Sequence, residues 1–339
     1  MLINLFLSIF FKAPAWLIRI FTLKKQIHLD GQSLDYKSQI FIGFIERYRY
    51  KLGGDELDYV ALREGRANDS VYQHLSAQPI SKINFKDHTI NLTDRNLTIR
   101  EYTPASVHTN RPILYFHGGG YVLGDLETHH GWLKYFSSKS GFKIFSVEYR
   151  LSPENPFPSA LEDANKSLDW LSKNFKIDVK DIILCGDSAG AHLAASLSTH
   201  RSLNHLELPK SQFLIYPMIN PLCDSDSLKY YSSGFLLTAE SMQWFWSLFQ
   251  SNDQDISDPR FNLNIDPKVK DFPDTLMVTA GFDPLRDEGE IYANNLLQNN
   301  FVIEQLHYPN MFHAFVNMTR IKACKIAADD MINELKEFI

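Results

Sequence analysis

From Ser33 to about Gln78 the apolar residues Ile40, Phe41, Phe44, Ile45 and Tyr48 recur at three- and four-residue spacing, which predicts helix. Gly53-Gly54-Asp55 interrupts that period and reads as a turn. Past Pro79 the period changes to two. Ile83 and Phe85, then Leu97, Ile99 and Tyr102, alternate as two half-buried strands with a polar hairpin between them. From Pro112 onward short apolar runs alternate with helical stretches. The runs are Ile113 to Phe116, Lys143 to Val147, Ile182 to Cys185, Phe213 to Tyr216, Leu276 to Ala280 and Ile303 to Tyr308. Helical patterns between them include Leu161 to Leu171, Ala189 to Leu197 and Glu290 to Leu297. This alternation predicts an α/β fold, a mostly parallel sheet with helices on both faces.

Between Pro217 and Pro273 the alternation stops. The segment has no clear strand but carries a dense aromatic helix, with Met242, Trp244, Phe245, Trp246, Leu248 and Phe249. It reads as an insertion packed above the sheet edge, its aromatics serving as core and roofing a pocket at once.

The N-terminus is a separate problem. Leu2 through Phe11 is nearly all apolar, and Ala13-Pro14-Ala15 has the small residues of a signal-peptidase site. No cation precedes the apolar run, however, and Lys12 and Arg19 interrupt it, which disfavours a simple spanning helix. At helical spacing Asn4, Ser8, Lys12 and Arg19 share one face, and Leu2, Phe6, Ile9, Phe10, Leu17, Ile20 and Phe21 take the others. That pattern fits an amphipathic helix on a membrane surface or over an apolar patch of the protein. A cleaved signal or anchor, and a disordered tail, stay open as alternatives.

Composition changes the picture only by exclusion. With 44% hydrophobic and 22% charged residues, the chain of 339 residues has ordinary globular usage and can bury a large core. A net charge of -6 leaves no basic excess to attract nucleic acid. The three cysteines, Cys185, Cys223 and Cys324, have neither the number nor the spacing of a disulfide framework or a zinc site.

Candidate chemistry lies at the ends of the apolar runs. Gly186-Asp187-Ser188-Ala189-Gly190 matches G-x-S-x-G between a buried strand and a helix, the setting in which a strained turn exposes a nucleophilic serine. His117-Gly118-Gly119-Gly120 follows the run Ile113 to Phe116 directly. A tight turn needs one glycine. Three in succession point to bare backbone whose N–H groups, with that of Ala189, converge on an oxyanion. A serine nucleophile needs a base and an orienting acid, and in this fold they follow it in the order acid, then His. Asp283 stands just past the run Leu276 to Ala280, with the alternative that it merely caps the next helix. His313 lies in the loop after the last run and is chosen as the base over His307, which falls inside that run.

Together these residues resemble the hormone-sensitive-lipase family of α/β-hydrolases, the bacterial esterases with HGGG and GDSAG motifs. The resemblance runs from about Asp35 to the C-terminus. It rests on His117 to Tyr121, Glu148 to Glu154, Gly186 to Gly190, Gly281 to Gly289 and the His313 loop, five motifs in order. It implies a triad of Ser188, Asp283 and His313, oxyanion donors from Gly119, Gly120 and Ala189 with Gly118 shaping the loop, and no cofactor or metal. It implies an α/β-hydrolase domain over 81–339, a helical cap built from 26–80 and an insertion at about 218–272, and an ion pair in the Tyr149 to Glu154 stretch that holds a loop beneath the site. The implied activity is hydrolysis of short- to medium-chain carboxylic esters through an acyl-enzyme. Ala191 and His192 depart from the family's usual Gly-Asn, Ala314 from the Gly that follows its histidine, and residues 1–25 have no usual counterpart.

A binding protein on the same fold is disfavoured because Ser188, Asp283 and His313 are all present. An amidase, a peptidase or a long-chain lipase would share the triad and differ in the pocket. The expected partner is a small-molecule ester. The expected location is the cytoplasm, with peripheral membrane contact through the N-terminal segment, export by it, and a homodimer left open by the sequence.

Overall fold

In the computed structural model the described residues are 7, 9–52, 58–68 and 75–339. The expected turn at Gly53 to Asp55 and the first six residues lie outside them. The centre is an eight-stranded sheet. In chain order its strands are β1 (Ile83–Asn91), β2 (Asn96–Pro104), β3 (Ile113–Phe116), β4 (Ile144–Val147), β5 (Ile183–Asp187), β6 (Ser211–Ile215), β7 (Asp274–Phe282) and β8 (Ile303–Phe312). Their spatial order is β8-β7-β6-β5-β3-β4-β2-β1, with β1–β2 and β2–β4 antiparallel and every other pair parallel.

Strand side chains alternate between two cores. Ile113 and Tyr115 of β3, with Ile183 and Cys185 of β5, face helices α4 (His130–Ser140) and α9 (Lys322–Phe338). Leu114, Phe116 and Leu184 face the other way, toward α5 (Ser159–Phe175), α6 (Ala189–Leu203) and α8 (Arg286–Gln298). Because both faces are covered, the parallel strands read as unbroken apolar runs. Each fully buried side chain of this size contributes roughly 1.5–3 kcal/mol. The edge strands are the exceptions: β8 is exposed or half-buried from Ile303 to Asn310, and β1 is exposed along most of its length. Phe85, expected to be half-buried, is exposed, because β1 has a neighbour on one side only and just Ile90 along it is buried.

The N-terminal segment is not one continuous amphipathic helix. A first helical stretch ends at Lys12, and α1 (Ala15–Thr22) begins after Pro14, whose ring nitrogen cannot donate to a continuing helix. Leu7, Phe10 and Ile18 are buried in the first core against Phe41 and Ile42 of α2 (Tyr36–Leu52). A further helix, α3 (Tyr59–Asn68), is fastened by Arg63. Its guanidinium donates to the backbone of Val122 and Ser152 at 2.8 and 2.7 Å and pairs with Glu154 at 2.8 Å.

Between β6 and β7 the described structure has no strand of the main sheet. It has a short helix (Asp226–Tyr230) and α7 (Ala239–Phe249), which opens on a reciprocal cap between Thr238 and Ser241. Along α7, Trp246 and Phe249 turn into the second core, and Phe249 stacks on Tyr121 at 3.6 Å.

Candidate active site

Strand β5 ends at Asp187 and α6 begins at Ala189, so Ser188 makes the turn alone, at φ 56° and ψ -120°. A non-glycine residue in that region is strained and is held there by its surroundings. The turn is tight enough that a Cβ at Gly186 would run into the Gly190 backbone, and one at Gly190 into Phe116. The Ser188 hydroxyl stands over the N-terminal end of α6, whose dipole favours negative charge.

The other two residues come from the ends of neighbouring parallel strands. Asp283 follows β7 and His313 follows β8. The His313 Nδ1 lies 2.8 Å from Asp283 Oδ2, and its Nε2 lies 3.0 Å from Ser188 Oγ. An Nδ1–H donating to the carboxylate leaves Nε2 as an acceptor facing the hydroxyl. Asp283 is fully buried, and its other oxygen accepts the Leu285 N–H at 2.8 Å, so it both caps the turn into α8 and meets the imidazole. His307 is elsewhere, on β8 and bonded to Thr279 at 2.9 Å. Ala314 sits at φ 65°, the left-handed region in which a glycine is unstrained, and borders the cavity beside His313.

Among the loop glycines the structure separates roles. Gly118 does not present a free amide, because its N–H donates to Asp187 Oδ1 at 2.9 Å. Among the described residues the N–H groups of Gly119, Gly120 and Ala189 have no such acceptor. Gly120 is at φ 64°, and a Cβ there would collide with the Phe245 ring.

The motifs alone did not reveal what holds this loop. Asp187 is buried and accepts from the Tyr115 hydroxyl at 2.6 Å and from Gly118, with His129 Nε2 3.2 Å away. Burial alone would raise its pKa, but the charge and hydrogen bond of His129, with the Tyr115 and Gly118 donors, hold it down at about 2. His117 is buried and stacked on Tyr149 at 4.3 Å; burial and the neighbouring His129 lower its pKa to about 4, so it stays neutral. The Tyr149 hydroxyl donates to the His117 carbonyl at 2.6 Å. Arg150 pairs with Glu162 and Asp163, both at 2.9 Å, and Glu154 pairs with Arg63. At the departure from the family pattern, His192 joins Tyr121, at 2.6 Å, to the Phe261 carbonyl, at 2.9 Å.

Ser188 and His313 open on a cavity of about 150 Å³. Gly118, Gly119 and Gly120 border it, and its apolar wall includes Ile45 and Leu75 from the N-terminal helical region and Leu236, Met242 and Phe245 from the insertion. Among the described residues no group of three or more His, Cys, Asp and Glu side chains could hold a metal ion.

Residues 113–317 match the family model described as alpha/beta hydrolase fold. The chain is 32% identical to ethyl acetate hydrolase of Pseudomonas putida over 68% of this chain and 77% of that protein. It is 28% identical to the carboxylic ester hydrolase LipN of Mycobacterium tuberculosis over 94% of this chain and 86% of that one. Among solved structures, an ester hydrolase from the metagenome of Lake Arreo superposes with a TM-score of 0.81 at 27% identity, covering 90% of this chain and 98% of its own. The chain belongs to the α/β-hydrolase fold family, among its carboxylic ester hydrolases of the hormone-sensitive-lipase kind.

Proposed function

We propose that the protein hydrolyses short- to medium-chain carboxylic esters through an acyl-enzyme on Ser188. The observation that carries this reading is the unbroken line of hydrogen bonds from Asp283 through His313 to the Ser188 hydroxyl at the mouth of an apolar cavity.

In the first half-reaction the Ser188 Oγ attacks the acyl carbon while His313 Nε2 takes its proton. The carbonyl electron pair moves onto oxygen, where the N–H groups of Gly119, Gly120 and Ala189 receive the charge. Gly118 supports this loop through its bond to Asp187 and supplies no donor. As the intermediate collapses, the ester C–O bond breaks and His313 gives its proton to the departing alcohol. Water then attacks the acyl carbon with His313 again as base, the acyl–Oγ bond breaks, His313 returns the proton to Ser188 and the carboxylic acid leaves. Asp283 fixes the imidazole tautomer and stabilises the imidazolium in both halves.

The segments 26–80 and about 218–272 act as the cap over the catalytic domain at 81–339. They supply Ile45, Leu75, Leu236, Leu237, Met242 and Phe245 to the cavity wall. A space of this size takes a group of roughly six carbons, which supports a preference for acyl chains of about four to eight carbons over long-chain glycerides. The test is a panel of soluble esters graded in acyl length, with emulsified long-chain triglyceride and an anilide as controls. Highest kcat/KM on the short and medium esters supports the reading. Preference for the emulsion makes the protein a lipase, and preference for the anilide makes it an amidase.

A further inference from the structure

The N-terminal segment is held to the body on one side only. Ile18 is buried, the Thr22 and Tyr36 hydroxyls lie 2.7 Å apart, and Tyr36 also donates to the Lys24 carbonyl at 3.0 Å. Lys37 donates to the carbonyls of Phe11 and Ala13 at 2.9 and 3.0 Å, which fixes the break between the two helical stretches. The opposite side faces solvent with large apolar groups. Trp16 is 64% exposed, Ile20 61%, Phe21 79% and Leu23 85%. Scattered exposed apolar residues are normal, but four within eight positions of a segment held on its other side form a patch.

We propose that this patch docks the protein on the surface of an anionic lipid bilayer, with α1 lying in the headgroup region. Charge identifies the occupant. Lys12, Arg19, Lys24 and Lys25 are all exposed around the patch, and no Asp or Glu occurs before Asp30, although the whole chain carries a net charge of -6. Cations interleaved with Trp, Phe, Ile and Leu are the composition of an interfacial helix on anionic lipid. A second copy of the chain fits less well. A twofold dimer through this patch would set the same patch against itself, cations facing cations. Crossing the membrane is a different geometry: α1 has eight residues, and among the described residues no helix is long and apolar enough to span. The helix α2 carries both Tyr36 and Lys37, which grip the segment, and Ile45, which stands in the cavity wall.

The test is sedimentation of the whole chain with phosphatidylcholine vesicles, either pure or containing about a third phosphatidylglycerol. The proposal expects pelleting with the anionic vesicles, weakened by high salt, and little with the neutral ones. Trp16→Ser with Phe21→Ser should lower the partition coefficient at least about tenfold, since both side chains would enter the interface. Lys24→Glu with Lys25→Glu should lower it by about five-fold for each cation removed, and further for the reversed sign. Hydrolysis of a soluble ester by the same variants reports that they are folded and keeps this test separate from that of the proposed reaction. Absence of binding to anionic vesicles, or binding that neither pair of substitutions changes, overturns the proposal. So does a dimer in light scattering that Trp16→Ser and Phe21→Ser dissociate in the absence of lipid.

Discussion

Ser188 owes the placing of its hydroxyl at the cavity to a backbone conformation that only the surrounding strand, helix and glycines sustain. Its partners divide cleanly. His313 touches both Ser188 and Asp283, while His307 bonds Thr279 on the neighbouring strand. Ser188→Ala is therefore expected to lower kcat by roughly a millionfold. His313→Ala should nearly abolish turnover while His307→Ala largely retains it, which steady-state kinetics on one soluble ester would check. An indispensable His307 beside a dispensable His313 would overturn the assignment. At this scale the sequence was informative where a residue stands next to glycines or at the end of an apolar run, as Ser188, Asp283 and His313 do. It was silent on Asp187 and His129. Their importance comes from burial and from a meeting across 58 positions of the chain, which no local pattern encodes. Nor does a row of glycines say which amide is already bonded, so the anchoring of Gly118 to Asp187 was hidden as well.

Helix α7 borders the site, and α8 follows Asp283 in the chain. On α7 the face carrying Met242 and Phe245 borders the cavity, and Trp246 and Phe249 turn into the second core. The aromatic density of this helix was visible in sequence, but the division of labour was not, since both faces are apolar. Phe245→Ala should raise kcat/KM for longer acyl chains relative to short ones by removing a wall, and a chain-length series would record the shift. No change in the ratio would mean that this wall does not set substrate length.

On α8, Glu288 is fully buried and accepts the Ile219 N–H at 2.7 Å. Burial, with the nearby Asp283, outweighs the backbone donors and raises its pKa from 4.5 to about 8. The folded state therefore holds this proton more tightly than the unfolded chain. Its stabilising share is fully present below about pH 4.5 and is lost as pH rises toward 8. Glu288→Gln keeps the acceptor without the charge. It should raise Tm at pH 8 by several degrees and change it little at pH 4.5, read by thermal denaturation across that range. An equal change at both ends would show that the carboxyl does not titrate in this way.

In the whole molecule, two apolar layers flank a sheet whose mostly parallel character follows from the alternation of runs along the chain, whereas its order, with β3 between β5 and β4, does not. The inner parallel strands β3 to β7 were legible because they are buried on both faces and therefore largely apolar. Phe85 misled because an edge strand lacks one of those neighbours. The N-terminal segment was legible as amphipathic but not as two pieces, since the period carries across Pro14 while the backbone does not. Least legible was the cavity, whose wall joins Ile45, Leu75, Leu236 and Phe245 from distant parts of the chain.

We propose that this architecture activates one hydroxyl among the chain's many serines. Labelling with an organophosphate, followed by mass spectrometry of the digested protein, tests it most directly, because only an activated serine attacks phosphorus at a useful rate. One adduct per chain is expected, on Ser188, formed together with complete loss of ester hydrolysis and absent from His313→Ala. Adduct on another residue, or full activity with Ser188 quantitatively labelled, would contradict it.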